Sequence, residues 1–476
     1  MTAFALAVYG VLLAAAVAAV LRRPVIALYL FVLGLPLHNI VMSLLYGGGV
    51  RGHALDAIQA WKEILLGAAL LAVASNSLLL RRAPFRPRPL DAIVLAYAAV
   101  VCLYALIPQS ALDGDAGARA ILYGLRHDLV PVAAYFLGRA VVPEIRRVGT
   151  VIVAAAAAVA AWGLVEVYAV PIEWWRHSGA VGYFHRELGY DYHGPAGLPE
   201  NFAFNSSDGL FRRLVSTFVS PLATAYMLLV ALLLLAVNRR RPTVAAALGA
   251  VCAAGLLWTF SRSSIVALAG GLVVLAIALR RWWPVGAAVL VAACGLAFAS
   301  VFHEIAPRTH WFESDLPYQE AQAKAKGPLP TDSGLKGTVS IGEPSIRSHW
   351  ESLKAGVCTV VHHPQGFGLG NAGTTAQRFD VKLETGESNY TELGAETGVA
   401  GVLLFIAWSV GLLAALLGKA WRGDRAAAAV AAALAAVLAL GIQTDAFGVP
   451  WLAYCLWWLA GSAVSRRAEP APAPGG

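Results

Sequence analysis

The sequence predicts an all-α polytopic membrane protein of about twelve to thirteen transmembrane helices with one large extracytoplasmic loop. Three observations carry that prediction. Of 476 residues, 58% are hydrophobic, and the mean hydropathy is +0.65. Charged residues make up only 13%, where soluble domains hold about 25%. Apolar runs recur at about the twenty-residue length of one bilayer crossing. A soluble chain this apolar could not clothe its surface in polar groups, so its solvent is largely lipid. A nucleic-acid-binding module, a cytosolic enzyme and a disordered scaffold are excluded. The five cysteines are scattered (102, 252, 294, 358 and 455) and form neither a disulfide framework nor a zinc spacing.

Taken in order, the runs lie near 3–21, 24–45, 57–79, 90–109, 119–138, 149–171, 213–237, 243–260, 262–280, 284–302, 391–418, 426–447 and 449–464. The first has no basic leader and no small-residue cleavage site, and Arg22-Arg23-Pro24 leads at once into the second. It therefore reads as a helix, not a signal peptide. A re-entrant first hairpin would reduce the count to twelve. Short basic clusters punctuate the runs: Arg22–Arg23, Arg81 to Arg88, Arg139 to Arg147, Arg239–Arg241, Arg280–Arg281, Lys419 to Arg425 and Arg466–Arg467. They hold nineteen of the 36 basic residues and fall at every second connection. The positive-inside rule puts them in the cytoplasm, with the N-terminus outside and the C-terminus inside. The net charge of +8 is thus mostly topology, and no nucleic-acid partner is expected.

Three regions follow: a first membrane bundle over 1–302, a large extracytoplasmic loop over 303–390, and C-terminal spans with a short cytoplasmic tail over 391–476. External residues 172–212 are rich in aromatics, which suit either the interface belt or stacking on sugar faces. The large loop is 88 residues long, with ten acidic and eight basic residues. Ion channels and simple carriers seldom need such a loop, whereas enzymes acting on lipid-bound substrates at the outer face often do. Within it, Ile346, Trp350, Leu353, Val357 and Val360 predict an amphipathic helix over 345–361 that Pro364 ends. A glycine-rich turn, HHPQGFGLGN, occupies 362–371. The segment GESNYTELGAETGVAGVLLF (386–405) then leads into a span, and its glycines 394, 398 and 401 suit close backbone approach.

The stretch from Arg347 to Phe405 resembles the signature region of the O-antigen ligase/O-antigen polymerase superfamily. Its pieces are an Arg-x-x-Trp helix, a His-Pro-x-Gly-x-Gly-x-Gly turn and a loop running into a span. LFRRLVSTFVSPLATAYMLL (210–229) and LLWTFSRSSIVALAGG (256–271) add to the likeness. The ligase motif is His, then Asn, Ser or Gln, nine residues, and Gly-x-x-Gly. Glu387, Ser388, Gly398 and Gly401 stand in that register, with Glu387 where the ligases carry their proposed catalytic histidine. The resemblance implies transfer or polymerisation of a glycan held on a polyprenyl diphosphate, at the outer face of the cytoplasmic membrane. A hydroxyl of a glycan or lipid acceptor would attack its anomeric carbon. Membrane lipids are the other partners, and no cofactor or metal is expected.

Such a reaction needs cations for the leaving diphosphate, and arginine grips phosphate oxygens in pairs. Arg126, Arg213, Arg262 and Arg347 are the candidates. Each also has a structural reading: an ion pair beside His127 and Asp128 for Arg126, a role ceded to Arg212 for Arg213, a snorkelling turn residue for Arg262, and a Glu351 partner for Arg347. Glu387 is the candidate general base, since a free Glu titrates near about 4.3 and is ionised at neutral pH. Its structural reading is a helix cap. His349, His362 and His363 are alternative bases, and Asp445, at the outer end of a span, is a possible site residue. A lipid-linked sugar transporter or flippase is one alternative, although no internal repeat of spans is visible. A metal-dependent membrane glycosyltransferase using Asp113 and Asp115 is another.

Overall fold

The computed structural model describes residues 2–206, 209–237, 242–326, 344–382 and 387–466. Eight of its helices are long and apolar enough to cross a membrane: Thr2–Arg22, Val25–Gly47, Trp61–Leu79, Pro89–Leu106, Ile145–Ala169, Arg262–Leu279, Trp283–Ile305 and Asn389–Ala420. Four shorter apolar helices, Pro221–Ala236, Pro242–Trp258, Arg425–Leu440 and Leu452–Ser465, and the more polar Ala118–Ala140, match the remaining predicted runs. The fold is an all-α, multi-pass membrane bundle. Large apolar side chains such as Val11, Leu71, Val266 and Leu403 are exposed on its sides, as a lipid-facing surface requires. The amphipathic helix of the large loop is present as Pro344–His362.

Two boundaries differ from the hydropathy reading, each for a local reason. The run starting at 213 becomes helical only at Pro221. Pro221 needs no N–H donor partner at the first helical turn, and the Ser220 hydroxyl caps the Ala223 N–H. Ahead of it, residues 213–220 fold back, with Val219 in the left-handed region at φ 53°. The run over 426–447 likewise leaves its helix at Leu440, so Asp445 sits in a turn.

The aromatic segment after the Ile145–Ala169 helix is a folded cap. Trp175, Tyr183, Phe184 and Phe202 are buried with Met42 and Tyr46 in a core of their own. Strands β1 (Ala203–Ser206), β2 (Gly209–Arg212) and β3 (Arg308–Thr309) make a small antiparallel sheet in that order, with Ala203 opposite Arg212 and Leu210 opposite Thr309. This sheet ties the aromatic loop to the start of the large loop.

Four of the seven basic clusters converge. Arg86, Arg88, Arg139, Lys419, Arg422 and Arg466 line one cleft of about 470 Å³. There Arg139 pairs with Asp91, which also accepts from Tyr135 Oη at 2.8 Å. Lys419 donates to the terminal carbonyls of Ala463 and Val464, satisfying a helix end that has no further turn. Arg126 and Arg139 are thirteen residues apart on one helix, about 20 Å along its axis. The polar groups near Arg126 therefore occupy a level of the bundle well removed from this cleft.

Backbone proximity locks the last helix to Ala118–Ala140. A Cβ on Gly138 would lie 2.1 Å from the Trp458 carbonyl oxygen, and one on Gly461 would lie 2.2 Å from that of Tyr135. Small residues allow such contact where no hydrophobic drive separates helices from lipid. Gly138→Val is expected to lower the thermal unfolding midpoint in detergent, by overpacking worth about 1–3 kcal/mol. Gly270→Ala, where nothing lies within 4 Å of the added carbon, should leave the midpoint unchanged or slightly raised.

Candidate functional site

Where Ala118–Ala140 meets the start of Asn389–Ala420, a polar cluster interrupts the apolar core. His127 contacts Asp128 through Nδ1 at 3.1 Å and Asp445 through Nε2 at 3.3 Å. Asp445 also accepts from Asn389 Nδ2 at 2.7 Å, the Gly448 N–H at 2.8 Å and Thr374 Oγ1 at 3.0 Å. Asn389 Oδ1 takes the N–H groups of Ala446 and Phe447, which fixes the 441–448 turn. Glu392 and Glu396 are buried one and two turns into the same helix. Asp445 lies outside the helices. Burial alone would raise its carboxyl, but His127 and the donors from Asn389 and Gly448 hold it well below the usual carboxylate range.

The long helix starts here because the glycine turn is built into it. Gly398 has φ +68°, a break inside Asn389–Ala420. The turn's backbone fills that break: Val399 N–H donates to Pro364 at 2.9 Å, Phe367 N–H to Ala395 at 2.6 Å and Gly368 N–H to Glu396 at 3.1 Å. A Cβ on Gly398 would lie 2.6 Å from the Pro364 oxygen, and one on Gly366 would lie 2.5 Å from the Gly398 nitrogen. Gly370 N–H meets Glu396 Oε1 at 2.8 Å. Asn371 binds the 109–116 loop through Gln109 and the N–H groups of Asp115 and Ala116. The turn thereby anchors Pro344–His362 above the cluster. On that helix His349 Nδ1 lies 2.5 Å from Glu387 Oε2, with side chains 37% and 58% exposed and so within reach of a substrate.

Two groups of cations flank the 441–448 turn. On one side Thr444 Oγ1 and Tyr226 Oη are 2.8 Å apart. The charged groups acting on Tyr226 are Asp445, Arg213 and Glu387. Arg213 is part-buried in the segment before Pro221. Its Nε donates to the Thr259 carbonyl at 2.8 Å, and it has no carboxylate partner among the described residues. Burial, and then the neighbouring Arg262 guanidinium, push its pKa down to about 10. It stays cationic at neutral pH. The Arg262 guanidinium lies 5.9 Å from the Phe204 ring and 6.0 Å from that of Phe260. On the other side, Arg126 Nε pairs with Glu63 Oε1 at 2.9 Å, beside Lys62.

Several sequence candidates therefore gather around one turn: Arg213 with Arg262, Asp445 with His127, Arg126 on the far side, and Glu387 with His349 over them. Arg212 does not compete with Arg213, because its guanidinium bonds Glu166 at 2.6 Å inside the bundle. Glu387 is not the helix cap: Ser388 is the N-cap residue, and the Glu387 N–H approaches Ser352 Oγ at 3.4 Å. Arg347 lies in Pro344–His362, but its side chain is outside the described residues. His362 bonds the Cys358 carbonyl and His363 stacks on Phe367 at 3.9 Å, both as turn-forming residues. Asp113 lies 3.9 Å from His363, and Asp115 offers its N–H to Asn371. Neither joins the polar cluster. Glu396 and Arg378 are not among the candidates that the sequence singles out. The i,i+4 pair Glu392/Glu396 in an otherwise apolar run was the available signal.

The donor atoms of His127, Glu392 and Asp445 lie within 4.8 Å of one another, a spacing that would suit a divalent cation. Both Asp445 oxygens are, however, already engaged by hydrogen bonds.

The site is thus a pair of neighbouring arginines and a carboxylate–imidazole pair close to a buried polar cluster, in a polytopic helical membrane protein. Residues 246–406, about a third of the chain, match the family described as O-antigen ligase, and this match supports the likeness to the O-antigen ligase/polymerase superfamily. No curated protein matches the chain. The matched region includes Arg262, His349 and Glu387, and leaves Arg126, Arg213 and Asp445 outside it.

Replacing Asp445 by Ala removes the shared acceptor of His127, Asn389 and Thr374 and leaves polar groups unpaired in the core. The expected loss is about 3–5 kcal/mol, read as a lowered unfolding midpoint. An unchanged midpoint would show that the cluster does not hold the 441–448 turn.

Proposed function

We propose that the protein transfers or polymerises a glycan carried on a polyprenyl diphosphate, at the extracytoplasmic face of the cytoplasmic membrane. The observation that carries this reading is Arg213: a part-buried guanidinium, beside a second arginine, with no carboxylate partner among the described residues. A desolvated cation without a counter-ion is costly unless an anion arrives with the substrate, and a diphosphate offers the matching oxygens. Arg213 and Arg262 would take the diphosphate as it leaves with the electrons of the anomeric C–O bond. The attacking hydroxyl forms the new glycosidic bond and gives its proton to the Glu387–His349 pair, with Glu387 as the base. Arg126 and Arg347 remain candidates for further diphosphate contacts.

Removing a general base typically costs about 10²–10⁴ in rate. Glu387→Gln is therefore expected to lower turnover at least a hundredfold while donor binding holds, and full activity in this variant would remove the base assignment. Arg213→Ala and Arg262→Ala should each weaken donor binding about thirtyfold, the equivalent of roughly 2 kcal/mol for a desolvated charge contact. Unchanged donor affinity in both would remove the clamp. Gene deletion followed by analysis of surface glycan separates the two reaction types. Loss of long chains marks a polymerase; normal chains stranded on the lipid carrier mark a ligase.

The His127–Glu392–Asp445 grouping favours one competing reading, a metal-dependent transferase. Transfer in EDTA-treated membranes is expected to continue. Activity lost on chelation and restored by manganese or magnesium would reassign the cluster as a metal centre.

A further inference from the structure

We propose that Arg126, Arg378 and Tyr123 form a second phosphate-binding station, distinct from Arg213/Arg262, that holds the headgroup of a lipid-borne acceptor. This inference rests on the proposed transfer reaction and specifies its second substrate. Arg378 ends the short helix Gly373–Arg378. Its guanidinium lies 4.1 Å from the centre of the Tyr123 ring, and that of Arg126 lies 5.3 Å from the same ring. Phe379 packs against Tyr123 at 5.0 Å. Arg126 has Glu63 as its counter-ion, and Glu63 also neutralises Lys62 at 3.7 Å. Arg378 has no carboxylate within ion-pair distance among the described residues, and it acts electrostatically on Lys62 and on buried Tyr183. Arg126 and Lys62 thus share one carboxylate while Arg378 has none, and the excess positive charge suits a phosphate-class anion.

The same geometry separates this station from the first. Thr374 of the Arg378 helix bonds Asp445, whereas the adjacent Thr444 bonds Tyr226, beside Arg213. The two groups of cations are thus linked to adjacent residues of one turn, and the charge acting on Arg213 is that of Arg262, not of Arg126 or Arg378. The wall beyond Arg378 is the aromatic cap: Gly189, at φ +74°, packs its α-carbon against the Arg378 carbonyl, where a Cβ would lie 2.4 Å from the oxygen. Tyr190 and Tyr192 stack next to it at 5.1 Å. One station for the leaving diphosphate needs only one cation group. A second, linked to the first through Thr444 and Asp445, fits an acceptor that also ends in phosphate on a lipid, so that both substrates lie anchored with their glycans meeting at the Glu387–His349 pair.

The test is equilibrium binding of undecaprenyl diphosphate to the purified full-length protein in lipid nanodiscs. Two molecules per chain are expected. Arg378→Gln should abolish one event, or weaken it at least tenfold, and Arg213→Ala should do the same to the other. Arg378→Lys, which keeps the charge without the fork, should weaken the second event less than Gln does, with unfolding midpoints matching the parent. One molecule per chain, sensitive to Arg213 and indifferent to Arg378, would overturn the second station and leave the transfer reading standing. No binding at all would overturn both. Inorganic pyrophosphate displacing the Arg378-dependent molecule at equal concentration would assign the station to a free phosphate compound and overturn the lipid acceptor.

Discussion

The site depends on a helix that is broken and repaired in place. At Gly398 the helix lets go of its own backbone hydrogen bonds, in a part of the molecule where unpaired N–H and C=O groups cost several kcal/mol each. The glycine turn repairs the break, giving the Pro364 carbonyl to Val399 and taking the carbonyls of Ala395 and Glu396 for its own N–H groups. Only backbone without side chains fits this closely, which is the reason for glycine at 366 and 398. The repair joins the amphipathic helix, the 109–116 loop and the long helix into one unit. Glu392, Glu396, Glu387 and His349 inherit their positions from it.

Charge is placed on the same logic. At the cleft level, arginine and lysine are spent on Asp91 and on helix-end carbonyls. Around the 441–448 turn the acids are spent on one another's donors instead: Asp445 on His127, Asn389 and Thr374, and Glu63 on Arg126 and Lys62. Among the described residues, Arg213 and Arg378 are left without carboxylates. In a low-dielectric setting such cations attract an anion far more strongly than surface cations do, and they do so before any substrate rearrangement.

Much of the site was legible as residue types. Arg213 and Arg262 are legible as arginines at the ends of apolar runs, and Glu387 by its register with Gly398 and Gly401. The pairing of Glu387 with His349 was not legible, since 37 residues of chain separate them and only the docking of the amphipathic helix brings them together. Arg378 gave no signal for the same reason: its partners Tyr123 and Arg126 lie some 250 residues earlier. The choice between Arg212 and Arg213 turned on Glu166, a buried acid in a different helix.

By itself the sequence determined the all-α membrane bundle, the thirteen runs and the amphipathic loop helix, because hydropathy and helical periodicity are local properties that lipid enforces residue by residue. Tertiary structure alone decided where the Pro221 helix begins, that the aromatic segment is a folded cap, and which arginines have no carboxylate among the described residues. Those outcomes depend on contacts between distant segments, and no local pattern encodes whether a carboxylate elsewhere in the fold has already claimed a given arginine.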